Sequence, residues 1–449
     1  MEIPVINEGQ EPDNSLDSYY ASILGTSDAT TAFTCFEDGD NLSFNGDDNR
    51  DIDNQISYQE IQDEIAEEPA IQKKELHEIL SHLAMEIDYT RISKFNITRS
   101  FIWEGVKRAL ARKSFSAKNK ISVKFTDDVG NSEGAVDMGG PMKELFTLVI
   151  QWMFTSQLFC GREHHKFLSF QSKCLEENDY YFAGVIIAMS LVHGGPGLQC
   201  LASNMFEAFV RDPDKVAISV EDVYDNELQS SLQMLQNSTC KEEAMQVMND
   251  SKLLTILDLA GTLQPIRTTS DIKKIAVMTA KWFVIGRAQA AIESFENGLS
   301  TLGVLDALKE NPDAFRPVFC YYPVEFTAET IERLFGVTQS PVGSNKAVTE
   351  SLVLSRWHDY LQDIEEGEDS IAFSDILFFA TGCKVLPARK IHPSIQFLHE
   401  PEACGEKSKF PKANTCSNIL RLPVVHATYD SFKIDMSFGI QNGRGFGIA

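Results

Sequence analysis

"ISVKFTDDVGNSEGAVDMGGPMKELF" (residues 121–146) changes character twice along its length. Ile121, Val123 and Phe125 alternate with polar neighbours, the spacing of a half-buried strand. A polar stretch follows and closes on the glycine turn "DMGGP". After Pro141, a residue suited to the first turn of a helix, Leu145, Phe146, Val149, Trp152 and Met153 recur at helical spacing. A strand passing through a glycine turn into a long buried helix predicts a chain that mixes both element types.

Helical spacing begins upstream at Leu76, Ile79, Leu80, Leu83 and Ile87. It resumes in "RSFIWEGVKRALAR" (99–112), with Phe101, Ile102, Val106, Ala109 and Leu110 inward and Lys107, Arg108 and Arg112 on a solvated face. Downstream, "YYFAGVIIAMSLVHGG" predicts a buried helix stopped by Gly194 and Gly195. Further helices are expected around 220–235 and 241–248, and a single strong one from an Asp271 cap region to Gly298. A short helix ends at Gly336, and the Pro, Gly, Ser and Asn of "VTQSPVGSNKAVTES" (337–351) read as a connector. Beyond it lies a small mixed domain. "RWHDYLQDI", "ILFFATG" and "SFKIDMSFGIQ" read as helical or glycine-stopped, "IQFLHE" and "ILRLPVV" as extended.

With 449 residues, 43% of them hydrophobic, the chain can fill more than one core. The net charge of −25 argues against nucleic-acid binding, which needs a basic surface. Most of that charge sits in residues 1–70, which hold eighteen Asp and Glu against one basic residue, Arg50. That stretch lacks periodicity and predicts a disordered acidic tail, since it buries too little apolar surface to offset chain entropy. "MEIPVINEGQ" has no basic region ahead of an apolar core, and the most apolar runs fall short of the ~20 residues that cross a bilayer. The expectation is a cytoplasmic chain, with the nucleus as an alternative, and no membrane partner. Nine scattered cysteines without a CxxC pair fit a reducing compartment.

The common chemical patterns are weak. His77 and His82 are five residues apart, which turns the second ring off the face a zinc helix would need. The glycines of "GGPG" and "GRGFG" lack the preceding strand and following helix of a phosphate loop. Cys416, in "ANTCSNILRLP" (413–423), is one thiol among nine, with His392, His399 and His426 as candidate partners of a cysteine hydrolase.

Taken together, residues 95–449 resemble the HECT-type ubiquitin-protein ligases, nearest the branch named for G-two/M-phase-specific ligases. The residues that carry the resemblance are "FNITRSFIWEGVKRALARKSF"; the strand, turn and helix of 121–146 with Asp137, Gly139, Gly140, Glu144 and Phe146; "FAGVIIAMSL" with Gly184 and Ala188; "WHDYL" and "ILFFATG"; "ANTCSNILRLP"; and the terminal "GRGFGIA".

The resemblance implies an α+β, bilobal fold. A mostly helical N-lobe would span 71–336 and hold the conjugating-enzyme-binding subdomain within about 198–263. A hinge at 337–351 would lead to a small α/β C-lobe at 352–449. Cys416 would be the nucleophile that takes ubiquitin from a ubiquitin-charged conjugating enzyme as a thioester and passes it to a substrate lysine, with no cofactor and no metal. Thr415 would support the thioester carbonyl or hold the loop. Asn414 stands where the family often has His, so activation would differ here or the chain would be a HECT-like scaffold that binds ubiquitin or conjugating enzyme without transfer. Phe446 would dock the terminal tail. Asp137, Gly139 and Gly140 would shape a turn, and Leu422 and Pro423 would be framework.

Overall fold

The computed structural model describes residues 74–126, 140–211, 213–321, 326–387, 391–401 and 405–443. The acidic tail, Asp137, Gly139 and Phe446 lie outside the described residues.

The first core is built largely from helices around a buried hub. Helix α1 (Leu76–Ala84) precedes strand β1 (Asp88–Thr98), and helix α2 (Ile102–Leu110) connects β1 to a parallel partner, β2 (Asn119–Thr126), in register Phe95 to Val123 and Ile97 to Phe125. The alternation in β2 is realised, with Ile121, Val123 and Phe125 buried. β1 escapes a periodicity test because its first half is exposed and only Ser93, Phe95 and Ile97 turn inward. In α2 the inward position expected for Phe101 belongs to Trp103: Phe101 ends a 3₁₀ turn at 65% exposure, while the Trp103 ring stacks on Trp152 at 4.7 Å. The basic face is not merely solvated. Lys107 bridges Glu177 and Asp179, and Arg108 and Arg112 donate to the carbonyls of Asn96 and Lys94 in β1.

Next come α3 (Gly140–Thr155), the antiparallel pair β3 (Phe159–Arg162) and β4 (His165–Leu168), and the short α4 (Ser172–Glu176). The hub is α5 (Asp179–His193), buried from Ala183 to Val192 and stopped by Gly194 in the left-handed region. Helices α6 (Ser203–Val210), α7 (Asn226–Asn237), α8 (Lys241–Met248) and α9 (Ser251–Leu259) follow.

The single helix expected from Asp271 to Gly298 is two: α10 (Thr269–Val284) and α11 (Gln289–Leu299), separated by a 3₁₀ turn at Gly286–Ala288. Thr268 caps α10 by accepting the Asp271 N–H. The break is held by Arg287, whose Nε donates to the Phe283 carbonyl while its guanidinium lies 3.7 Å from that ring's centre. The combined run 269–299 has the length and composition to cross a bilayer, but it is interrupted, and 56% of its most apolar 18-residue window is buried, as in a core element. α11 packs on α5 where Gly184 and Gly298 meet: a Cβ on either would strike the other helix's backbone. Helices α12 (Val304–Glu310) and α13 (Pro312–Phe319) complete this core.

The second core begins at α14 (Ala328–Leu334) and runs through β5 (Gly336–Val337), α15 (Asn345–Glu365), α16 (Phe373–Thr381), β6 (Ser394–Leu398), β7 (Lys412–Asn414), β8 (Ile419–Pro423) and α17 (Tyr429–Asn442). Its sheet has the order β5-β6-β8-β7, with β6 and β8 parallel and β7 antiparallel to β8. Trp357 and Tyr360 of α15 fill its centre.

The hinge expected at 337–351 needs correction. Val337 is paired in the sheet, and residues 345–351 form the first turns of α15, capped by Ser344. Glu350, 2% exposed, accepts from the Ser340 N–H and Oγ–H and lies 2.6 Å from the His399 ring. Burial works against that carboxylate's charge, but Ser340 and His399 outweigh it and hold its pKa below the usual glutamate value. Turn-forming composition here makes an anchored loop. The passage between the cores falls instead between Cys320 and Ala328.

Candidate active site

Cys416 sits in the turn between β7 and β8. Leu420 and Leu422 are fully buried beneath the sheet, which fixes the register of β8 against β6 and β7 and hence the position of the turn. Asn414, the last residue of β7, folds its side chain over the turn: Oδ1 accepts the N–H of Cys416 at 3.1 Å and that of Ser417 at 3.2 Å. This is the Asx arrangement, in which a short amide replaces a backbone acceptor. Asn418 closes the turn at φ 52°, a conformation Asn tolerates better than most residues.

Thr415 points its side chain the other way in energetic terms. It is 9% exposed, and among the described residues its Oγ1 has no hydrogen-bond partner. Leaving a buried hydroxyl unmade costs about 1–3 kcal/mol. Thr415→Val is therefore expected to leave the midpoint of thermal unfolding unchanged or raise it, which a calorimetric scan checks; a loop-holding hydroxyl would give a loss instead.

The half-buried Cys416 is also met by the first core. The Gly140 N–H, at the start of α3, donates to Sγ at 3.1 Å. Lys143 Nζ donates to Asn418 Oδ1 at 2.7 Å, and Thr147 Oγ1 to the carbonyl of Gly382, which ends α16, at 3.0 Å. Positions 140, 143 and 147 share one face of α3. Farther along this helix, Ile150 and Phe154 line a cavity of about 740 Å³ whose other walls include Leu198 and Tyr321 before the passage and Leu386 after it. α3 is held from behind by Arg99, which reaches Glu144 with Nε and Nη2 at 2.9 and 2.8 Å and lies over the Phe125 ring. Glu144, singled out in the sequence, thus ties α3 to its own core.

Burial lowers the pKa of the Lys143 ammonium, while charge on the Cys383 and Cys416 thiols works in the opposite direction. Cys383 is fully buried and its thiol is pushed up to about 11. Two of the three candidate histidines are engaged elsewhere, His399 with Glu350 and His426 Nε2 with the Lys409 carbonyl; His392 is exposed, two residues before β6, whose Ser394 N–H donates to the Asn418 carbonyl of the turn. Among the described residues, no three of His, Cys, Asp and Glu form a metal-holding group.

Of the site residues expected from sequence, Asn414, Thr415 and Cys416 are together in one turn; Phe446 lies outside the described residues. Gly140 was expected only to shape a turn, and Lys143 and Asn418 carried no signal. Their partnership spans some 275 residues and arises only when the cores meet.

The HECT-domain (ubiquitin-transferase) family model matches residues 147–449. The chain belongs to the HECT-domain family. It is 32% identical over 372 residues to a G2/M phase-specific E3 ubiquitin-protein ligase of Gallus gallus, covering 83% of this chain and 48% of that one. The corresponding protein of Homo sapiens is 31% identical over 368 residues, 81% and 49%. E3 ubiquitin-protein ligase RSP5 of Chaetomium thermophilum is 23% identical over 375 residues, 78% and 43%. The chain spans about half the length of the curated relatives it matches. The HECT domain's small helices α7, α8 and α9 lie in the region expected to bind conjugating enzyme, and that region exposes Met234, Met245, Leu254, Leu259 and Leu263.

Proposed function

We propose that the protein is a ubiquitin ligase whose Cys416 accepts ubiquitin as a thioester and passes it to substrate lysines. What carries this reading is a half-buried thiol displayed in a braced turn of one core and met by a helix start of the other. The Cys416 thiolate attacks the carbonyl carbon of a conjugating enzyme's ubiquitin thioester. A tetrahedral oxyanion forms, and the conjugating enzyme's thiolate leaves. In the second step a lysine amine attacks the Cys416 thioester: the new C–N bond replaces C–S, and the amine proton goes to a nearby acceptor or solvent. Exchange between two thioesters is nearly balanced, so alignment matters more than a strong base.

Asn414 supplies the alignment by fixing the backbone on either side of the nucleophile. The unpartnered Thr415 hydroxyl is the donor for the thioester carbonyl and its oxyanion. The conjugating enzyme docks on the subdomain within about 198–263, whose exposed apolar side chains include Met234, Met245, Leu254, Leu259 and Leu263. The seven described cysteines are all free thiols, in keeping with work in the cytoplasm or nucleus.

The test is incubation of the full chain with activating enzyme, a panel of conjugating enzymes and ubiquitin. A reductant-sensitive ubiquitin adduct, present in the wild type and absent in Cys416→Ala, is the expected result. No adduct across the panel overturns the reading.

A further inference from the structure

The contact between Cys416 and α3 joins a nucleophile to two sources of positive potential. An α-helix start carries roughly half a positive charge in its unsatisfied N–H groups, and the Gly140 N–H is aimed at Sγ at 3.1 Å. One turn on, Lys143 brings a full ammonium, which among the described residues has no carboxylate partner and is anchored to Asn418 at 2.7 Å. We propose that Lys143 is a positioning residue for Cys416: by holding Asn418 it seats the thiol under the Gly140 amide. The inference rests on the reading of Cys416 as the nucleophile.

Three observations fit together. The tether runs to the residue that closes the turn, two positions from Cys416, so movement of Lys143 is transmitted to the thiol through a short, hydrogen-bonded loop. The Gly140 amide that meets Sγ comes from the other core, so the seat exists only when the two cores are together. The backbone on either side of the thiol is already fixed by Asn414, which leaves the Lys143 tether to set where the whole turn sits.

The test is the rate of Cys416 alkylation by iodoacetamide at a single pH of about 7, read by mass spectrometry of the peptide containing it, on the full chain without ubiquitin or other enzymes. Lys143→Gln is expected to release the thiol from the Gly140 amide and speed alkylation by about threefold to tenfold, with Lys143→Arg returning toward wild type. Asn418→Gly, which keeps the left-handed backbone but removes the tether, changes the rate in the same direction and decides the matter if Lys143→Gln does not fold. Rates of both variants equal to wild type overturn the proposal. Because no ubiquitin is used, unchanged rates with normal adduct formation remove only the role of Lys143. Changed rates with no adduct from any conjugating enzyme remove only the ligase reading.

Discussion

Cys416→Ser is expected to abolish productive transfer, slowing ubiquitin loading by on the order of a thousandfold or more, and any adduct that forms will resist thiol reductants. A hydroxyl is a much weaker acid than a thiol and needs a neighbouring base to attack at neutral pH. Among the described residues none is hydrogen-bonded to the thiol as a base: Asn414 is spent on two backbone N–H groups, His399 and His426 are bonded to Glu350 and Lys409, and the exposed His392 makes no bond to it. A donor from Gly140 stabilises an anion but removes no proton. The chemistry therefore depends on the intrinsic acidity of sulfur. Gel analysis of loading with and without reductant checks both halves; rapid loading of the serine variant would show a base the geometry does not contain.

Gly184→Ala is expected to give the largest loss of stability, about 3 kcal/mol or more. The added Cβ would strike the Phe295 carbonyl oxygen and approach Leu299 N to 2.8 Å and Gly298 Cα to 2.9 Å. These are backbone atoms of α11, so no side chain can rotate away. α5 and α11 would have to separate, and with them the centre of the first core. A fall of roughly 10 °C in that core's unfolding midpoint follows from the size scaling. Gly286→Ala is the control: its Cβ meets Trp282 Cδ1 at 3.3 Å, a contact a ring adjusts to, and the midpoint should move little. Equal shifts for the two would show that the crossing is not close-packed.

Where one face of an element is buried along its length, the sequence was readable. α8 has the bounds expected of it, Gly194 stops α5, and β2 and β8 alternate or run apolar as predicted. β1 was missed because only its second half is covered, and helix 271–298 was read as one because its break is made by Arg287 against Phe283, a local arrangement that leaves the apolar spacing on both sides intact. The 337–351 stretch misled for another reason: a turn-rich loop and a hinge have the same composition, and only the burial of Glu350 separates them. At the site, residues alone left Cys416 among nine equals. Resemblance singled it out, and the family match agrees with that resemblance. That the Asn414 side chain is bonded twice, and that of Thr415 not at all among the described residues, could be learned only from where their side chains fall.

The anchored loop at Glu350 also sets a length scale. If 337–351 were free chain, the second core could be paid out on a leash of fifteen residues beyond α14. With that loop locked into its own core, only residues 321–327 lie between the last core residue of one body and the first of the other. Seven residues fully extended reach about 25 Å. The tether therefore caps how far the attachment point of the second core can travel, while rotation about that point swings the rest of the core through a wider arc.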